Sequence, residues 1–257
     1  MNILKTIRNP KYSIFFSLLL LFTSCSQYEN DSTETSNLKK SNSINFENRL
    51  LTDSEIEQIG ISHNKYLSQL MENAQNFEDV KNNFTSIMNT ESSEFISSRN
   101  LNSFIDSKRG MNVNNLVDFV YENEDYFNNH VELANKLVTL NNANDVESMQ
   151  DVEISARATL SGIDLDMFLV NASVSINSLE FWESHSPTAS SESHGDWKKA
   201  DGISAAIGFI ALTCVTAAIA VCVGSGGLAM PAVAVVAELA GIGLSSALSS
   251  AQTYFGI

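Results

Sequence analysis

Few residues in this chain have types and spacing suited to chemistry. His63, followed by Asn64, sits where apolar residues recur at helical spacing. An imidazole can move a proton or bind a metal, but a single histidine on an apolar face is usually a core residue with its hydrogen bonds satisfied. A second group lies between Glu183 and Trp197, where Glu183, His185, Glu192, His194 and Asp196 crowd a Ser-rich stretch. Zinc or calcium needs such side chains converging on one point. Their spacing matches no known site and the stretch reads as a loop, so no metal is assigned. Asp164 and Asp166 flank Leu165 and would lie on different sides of a helix, a poor acid/base pair. HExxH, GxSxG and CxxC motifs are absent. The Gly224-Ser225-Gly226-Gly227 cluster lacks the Lys-Ser/Thr that a phosphate loop needs. No catalytic residue and no cofactor is expected.

The three cysteines are too few for a disulfide scaffold. On one helix Cys214 and Cys222 would stand about 12 Å apart, beyond the roughly 4.4–6.8 Å that a disulfide allows. Cys25 has a different setting. Lys5, Arg8 and Lys11 precede an apolar run from Ser13 to Phe22, which ends in Thr23-Ser24-Cys25. A run of about ten residues is too short to span a bilayer and suits a cleaved signal. Its end resembles a bacterial lipobox, with Phe22 where Leu is usual. The resemblance implies cleavage before Cys25, lipid on its sulfur and acylation of the new amine. Ser26 implies sorting to the outer membrane in the enterobacterial pattern. Several acyl chains make a stable anchor, at about 0.8 kcal/mol per buried methylene.

The elements that must position these residues are helical. Residues 1–24 are read as the signal peptide. Residues 25–47, polar and rich in Ser, Asn and Glu, are read as the lipidated cysteine and a flexible tether. Residues 48–200 form an amphipathic helical region. It opens on the capping box Thr52-Asp53-Ser54-Glu55, and Ile56, Ile59, Tyr66, Leu67, Leu70 and Met71 follow at helical spacing. Further stretches cover Phe77 to Met88, Phe95 to Ile105 and Leu116 to Leu140, then a polar helix around Asp145 to Arg157. Ile163 to Trp182 is apolar nearly all round and reads as a central helix. Lys198 and Lys199 precede the last segment, facing a headgroup or water.

Residues 201–257 read as a hydrophobic Ala/Gly-rich helical hairpin. Glu238 is the only charged side chain after Asp201. One arm runs from about Gly202 to Val223, with Asp201 as its N-cap; the other runs from Pro231 to about Ala251. The first would span roughly 33 Å, enough for a bilayer core of about 30 Å. Ala237, Gly241, Ser245 and Ser249 recur every four positions and make a smooth stripe for another helix. The hairpin has three readings: the buried centre of a helical domain, a transmembrane hairpin, or a segment buried first and inserted later.

The whole reads as an all-α helical bundle around the hairpin. A hydrophobic content of 44% allows a substantial core, and a net charge of -15 argues against nucleic acid as a partner. Charge alone would not hold it to anionic lipid.

Three short patches resemble an uncharacterised group of Bacteroidota-type secreted or lipid-anchored helical proteins. They are Ile59-Gly60-Ile61-Ser62-His63-Asn64, Ser178-Leu179-Glu180-Phe181-Trp182 (with Phe181 where Tyr is commoner) and Ala200-Asp201-Gly202. The resemblance implies no known activity. It implies that His63, Asn64, Trp182 and Asp201 meet in space, as a buried polar network holding helices to the hairpin. The functional expectation is a lipid-anchored, extracytoplasmic, non-enzymatic lipoprotein at the cell envelope, with the membrane as partner through its lipid. The alternatives are a pore-forming or bacteriocin-like protein that inserts the hairpin, and a hydrolase or metal-binding enzyme using His63 or His185/His194.

Overall fold

The computed structural model describes residues 49–91, 112–186, 188–222 and 232–256, with side chains except at 88–91, 191–192, 211–222 and 232–241. The signal, Cys25, the tether, the helix expected over Phe95 to Ile105, the Gly cluster and Pro231 lie outside the described residues. So do the side chains of Cys214, Cys222 and Glu238.

Among the described residues the fold is all helical. Helix α1 spans Asp53–Met71, α2 Phe77–Glu91, α3 Val113–Glu122 and α4 His130–Asn142. Helix α5 spans Val146–Thr159, α6 Gly162–His185, α7 Ser191–Cys222 and α8 Ala232–Tyr254. Local sequence sets the starts. Thr52 and Glu55 close a capping box on α1, Asn112 and Asn115 do so on α3, and Asn129 and Asp145 cap α4 and α5. Asn73, at a φ of 57°, turns the chain after α1, and Asn83 returns its amide to the carbonyls of Leu70 and Glu72.

Helices α1, α6, α7 and α8 make the central bundle, each packed on two of the others. Contacts climb together along α1 and α6, from Leu50–Asp166 through Ile56–Ser173 to Asn64–Asn177, so these two run in the same direction. Trp182 meets Trp197 and Ser178 meets Asp201, so α7 runs opposite to α6. Helix α8 returns antiparallel to α7. Helices α4 and α5 cover α6 from outside, α3 packs on α4 and α7, and α2 closes over α1 and α8.

Three glycines let the bundle close. A Cβ at Gly60 would come within 2.5 Å of Asn177 and Ser173, and one at Gly202 would collide with Ser175 and Asn171. One at Gly243 would lie 2.9 Å from the His63 backbone nitrogen. These helices pack at backbone distance, which small-residue surfaces permit.

Several expectations need correction. Helix α7 begins at Ser191, so Asp201 is ten residues inside a helix and is not its N-cap. The stretch from Glu183 to Trp197 is mostly helix; α6 ends at His185, and only residues 186–190 separate it from α7. Lys198 does not reach headgroup or water. It is fully buried, because its place on α7 faces the end of α4. The three readings of the hairpin are not among these corrections; among the described residues no helix is long and apolar enough to cross a membrane.

Candidate functional site: a polar centre in the bundle

At one level of the bundle all four central helices contribute buried polar side chains. Helix α1 brings His63, α6 brings Ser178 and Trp182, α7 brings Asp201, and α8 brings Ser246 and Ser250. All are essentially shielded from solvent, His63 and Asp201 at 0% exposure. Helical spacing explains the selection. Ser178 and Trp182 are four apart on α6, and Ser246 and Ser250 four apart on α8, so each pair shares one face.

His63 lies between the hairpin's two helices. Its Nδ1 is 3.0 Å from Ser246 Oγ, and its Nε2 is 3.2 Å from Asp201 Oδ2. Ser246 Oγ also donates to the Gly243 carbonyl at 2.9 Å. Ser178 Oγ donates to Asp201 Oδ2. Trp182 Nε1 donates to Ser250 Oγ at 2.8 Å, and Ser250 lies against the Asp201 carboxyl. The contact between Nε2 and Asp201 is close but off-line for a hydrogen bond, and Asp201 Oδ1 makes no well-directed one. Burial pushes the Asp201 carboxyl above its ordinary range, opposed by His63 and by the hydroxyls of Ser178 and Ser250.

Of the residues that the sequence singled out, His63 and Asp201 are therefore neighbours. Trp182 reaches the same carboxyl through Ser250. Asn64 stands apart; its amide donates to the Asn177 carbonyl at 2.9 Å, in the contact between α1 and α6. Ser178, Ser246 and Ser250 belong to the centre but were not singled out as site residues. The small-residue stripe read from the sequence took in Ser245 and Ser249, not their neighbours Ser246 and Ser250, since hydroxyl direction depends on which helix faces them.

The histidines near the α6–α7 connection do not gather. His185 Nδ1 bonds to the Phe181 carbonyl at 2.9 Å, and its ring stacks on Phe181. His194 Nε2 bonds to the Ser186 carbonyl at 2.9 Å. Among the described residues no three His, Cys, Asp or Glu side chains are grouped as a metal would need. Above this connection Trp182, Trp197 and Tyr254 pack ring on ring, with centroids 4.6–5.0 Å apart, and close that end of the bundle.

Among the described residues two further carboxylates are fully buried, and both serve backbone. Asp164 accepts from the amides of Asn128 and Asn129 at 3.0 and 2.7 Å. Burial still leaves its carboxyl raised, against those bonds. Asp166 accepts from the amides of Leu50 and Leu51 and from Arg49 Nε at 2.7 Å, pinning the start of the fold to α6. They do point apart, and neither is an acid/base partner of the other. Lys198 donates to the Ala143 carbonyl at the C-cap of α4, where the helix dipole favours a cation. Burial lowers its pKa to about 8.

The centre has the group order serine, histidine, aspartate that acyl transfer uses. Its chemistry is closed. Ser246 has its hydroxyl hydrogen on a helix carbonyl, and every member is shielded from solvent. The arrangement can hold helices together and store a proton. No known protein family, curated protein or solved structure matches the chain.

Proposed function

We propose that this chain is a lipid-anchored, extracytoplasmic helical lipoprotein without enzymatic activity, with a structural or binding role at the cell envelope, most simply the outer membrane. The observation that carries it is Cys25 at the end of a short basic-then-apolar leader, ahead of a polar tether. The non-enzymatic part is supported by the interior: His63, Asp201, Ser246, Asp164, Asp166 and Lys198 are all committed to contacts between elements. Fatty-acid labelling of cells producing the full chain tests the anchor. Label on the wild type and none on Cys25→Ser supports it; equal label on both, or none on either, overturns it.

A second reading keeps one supporting observation. The base of the apolar hairpin is held by buried polar groups, Lys198 and Asp201, besides close packing. A membrane-active protein that releases its hairpin would need such breakable ties. Dye release from liposomes by the full chain separates the two readings.

A further inference from the structure

The hydrogen-bond directions around His63 constrain its protons. Ser246 has one hydroxyl hydrogen. Its contacts with the Gly243 carbonyl and with His63 Nδ1 are both satisfied only when Nδ1 carries a hydrogen and donates to Ser246. With Nδ1 so committed, Nε2 stands beside Asp201 Oδ2 without a proton unless one of the two groups carries a further one. Two bare lone pairs at 3.2 Å in a dry core would repel.

We propose that His63 and Asp201 form a net-neutral latch, with one proton on Nδ1 and one more carried by either Nε2 or the Asp201 carboxyl, and that losing the second proton loosens the α7–α8 hairpin from α1. The latch joins the hairpin to the rest of the bundle because His63 is the α1 member, while Asp201 and Ser246 belong to the hairpin. Among the described residues its surroundings supply no other charge. Helix α6 presents Ser178 and Trp182, and α8 presents Ser246 and Ser250, none of which titrates near neutrality. On α7 the Lys198 ammonium points away to Ala143. On α1 and α6 the nearby ionisable groups Lys65 and Glu180 are exposed. Among the described residues His63 is the one ionisable side chain that acts on the Asp201 carboxyl. The alternative arrangement turns the Ser246 hydroxyl onto a bare Nδ1 and leaves the core with a net negative charge, which burial disfavours.

The test uses the full chain, purified in detergent and labelled with nitrogen-15 at histidine, with His63→Asn to assign the signal. A protonated Nδ1 on His63 supports the latch; a bare Nδ1 overturns it, without any need for a folded Asp201 variant. The second measurement is amide exchange in α8, corrected for intrinsic rates, as pH rises. In the wild type, protection falls about tenfold per pH unit once the proton is lost. In Asp201→Asn the amide remains a neutral donor to Nε2, so protection stays flat. Equal slopes in the two proteins overturn the latch.

Discussion

The two ends of the hydrogen-bonding scale for a buried carboxylate occur in this one bundle. At the start of α6, Asp164 and Asp166 collect backbone amides from the segments before α1 and α4. In the middle, Asp201 faces one imidazole and hydroxyls, and one of its oxygens makes no well-directed bond. The first arrangement fastens loops to a helix and is saturated with donors. The second fastens helix to helix and depends on a proton. A buried carboxylate thus finds backbone amides where the chain changes direction and none where regular helices meet, because helix interiors have already used their own amides.

The comparison breaks first at the centre. Asp201→Ala leaves His63 without its partner in the core, and should cost about 3–5 kcal/mol in urea unfolding. The His63→Ala/Asp201→Ala double variant should lose less than the sum of the singles, since each removes the other's burden. Additive losses would mean that the two do not act as a pair. Gly243→Ala tests the same contact through packing. Its methyl would meet the α1 backbone rather than a movable side-chain end, so a loss of about 1–3 kcal/mol is expected, with faster exchange in α1 and α8 than in α4.

At the saturated end, Asp166→Ala should cost about 1–3 kcal/mol by leaving the amides of Leu50 and Leu51 without their acceptor. The damage should be local: proteolysis near Arg49 should rise while α8 protection holds. Loss of protection in α8 as well would erase the distinction between loop clamp and helix latch. The smallest effect concerns Lys198, a buried cation held by a helix end. Its folded pKa, about 8, lies below its unfolded value, so the unfolded chain binds more protons between these values. This contribution to stability therefore rises from about pH 8 toward about pH 10.4. Asp201 acts oppositely: its raised carboxyl contributes fully below its unfolded value, and that contribution is lost as pH climbs through the folded one. Thermal melts of Lys198→Met against wild type, both in the Asp201→Asn background, isolate the alkaline gain; Lys198→Met should lack it.

Much of this was legible along the chain. The capping box at Thr52–Glu55, the helical spacing from Ile56 to Leu70 and the apolar run from Ile163 to Trp182 announced α1 and α6 because their signals are local. Asp201 misled as an N-cap because an aspartate before an apolar run fits a cap and a buried ion partner equally well. The helix through 191–200 was hidden by Ser, Glu and His residues that read as loop, and tertiary contacts at Trp197 and Lys198 draw this stretch into the fold. Lys198 read as solvated since nothing in its neighbours foretells the Ala143 carbonyl.

By itself, the sequence determined the all-α class, the basic-then-apolar start followed by a polar stretch, the small-residue stripes and the suspicion that His63 and Asp201 matter. Those properties depend on residues within a few turns of one another. Only the tertiary structure decided that His63 lies between Asp201 and Ser246, that Asn64 turns away, and that Asp164 and Asp166 clamp two separate loops. The partners are separated by up to 183 positions, and a hydrogen bond is set by the direction and distance of groups that the folded chain alone brings together.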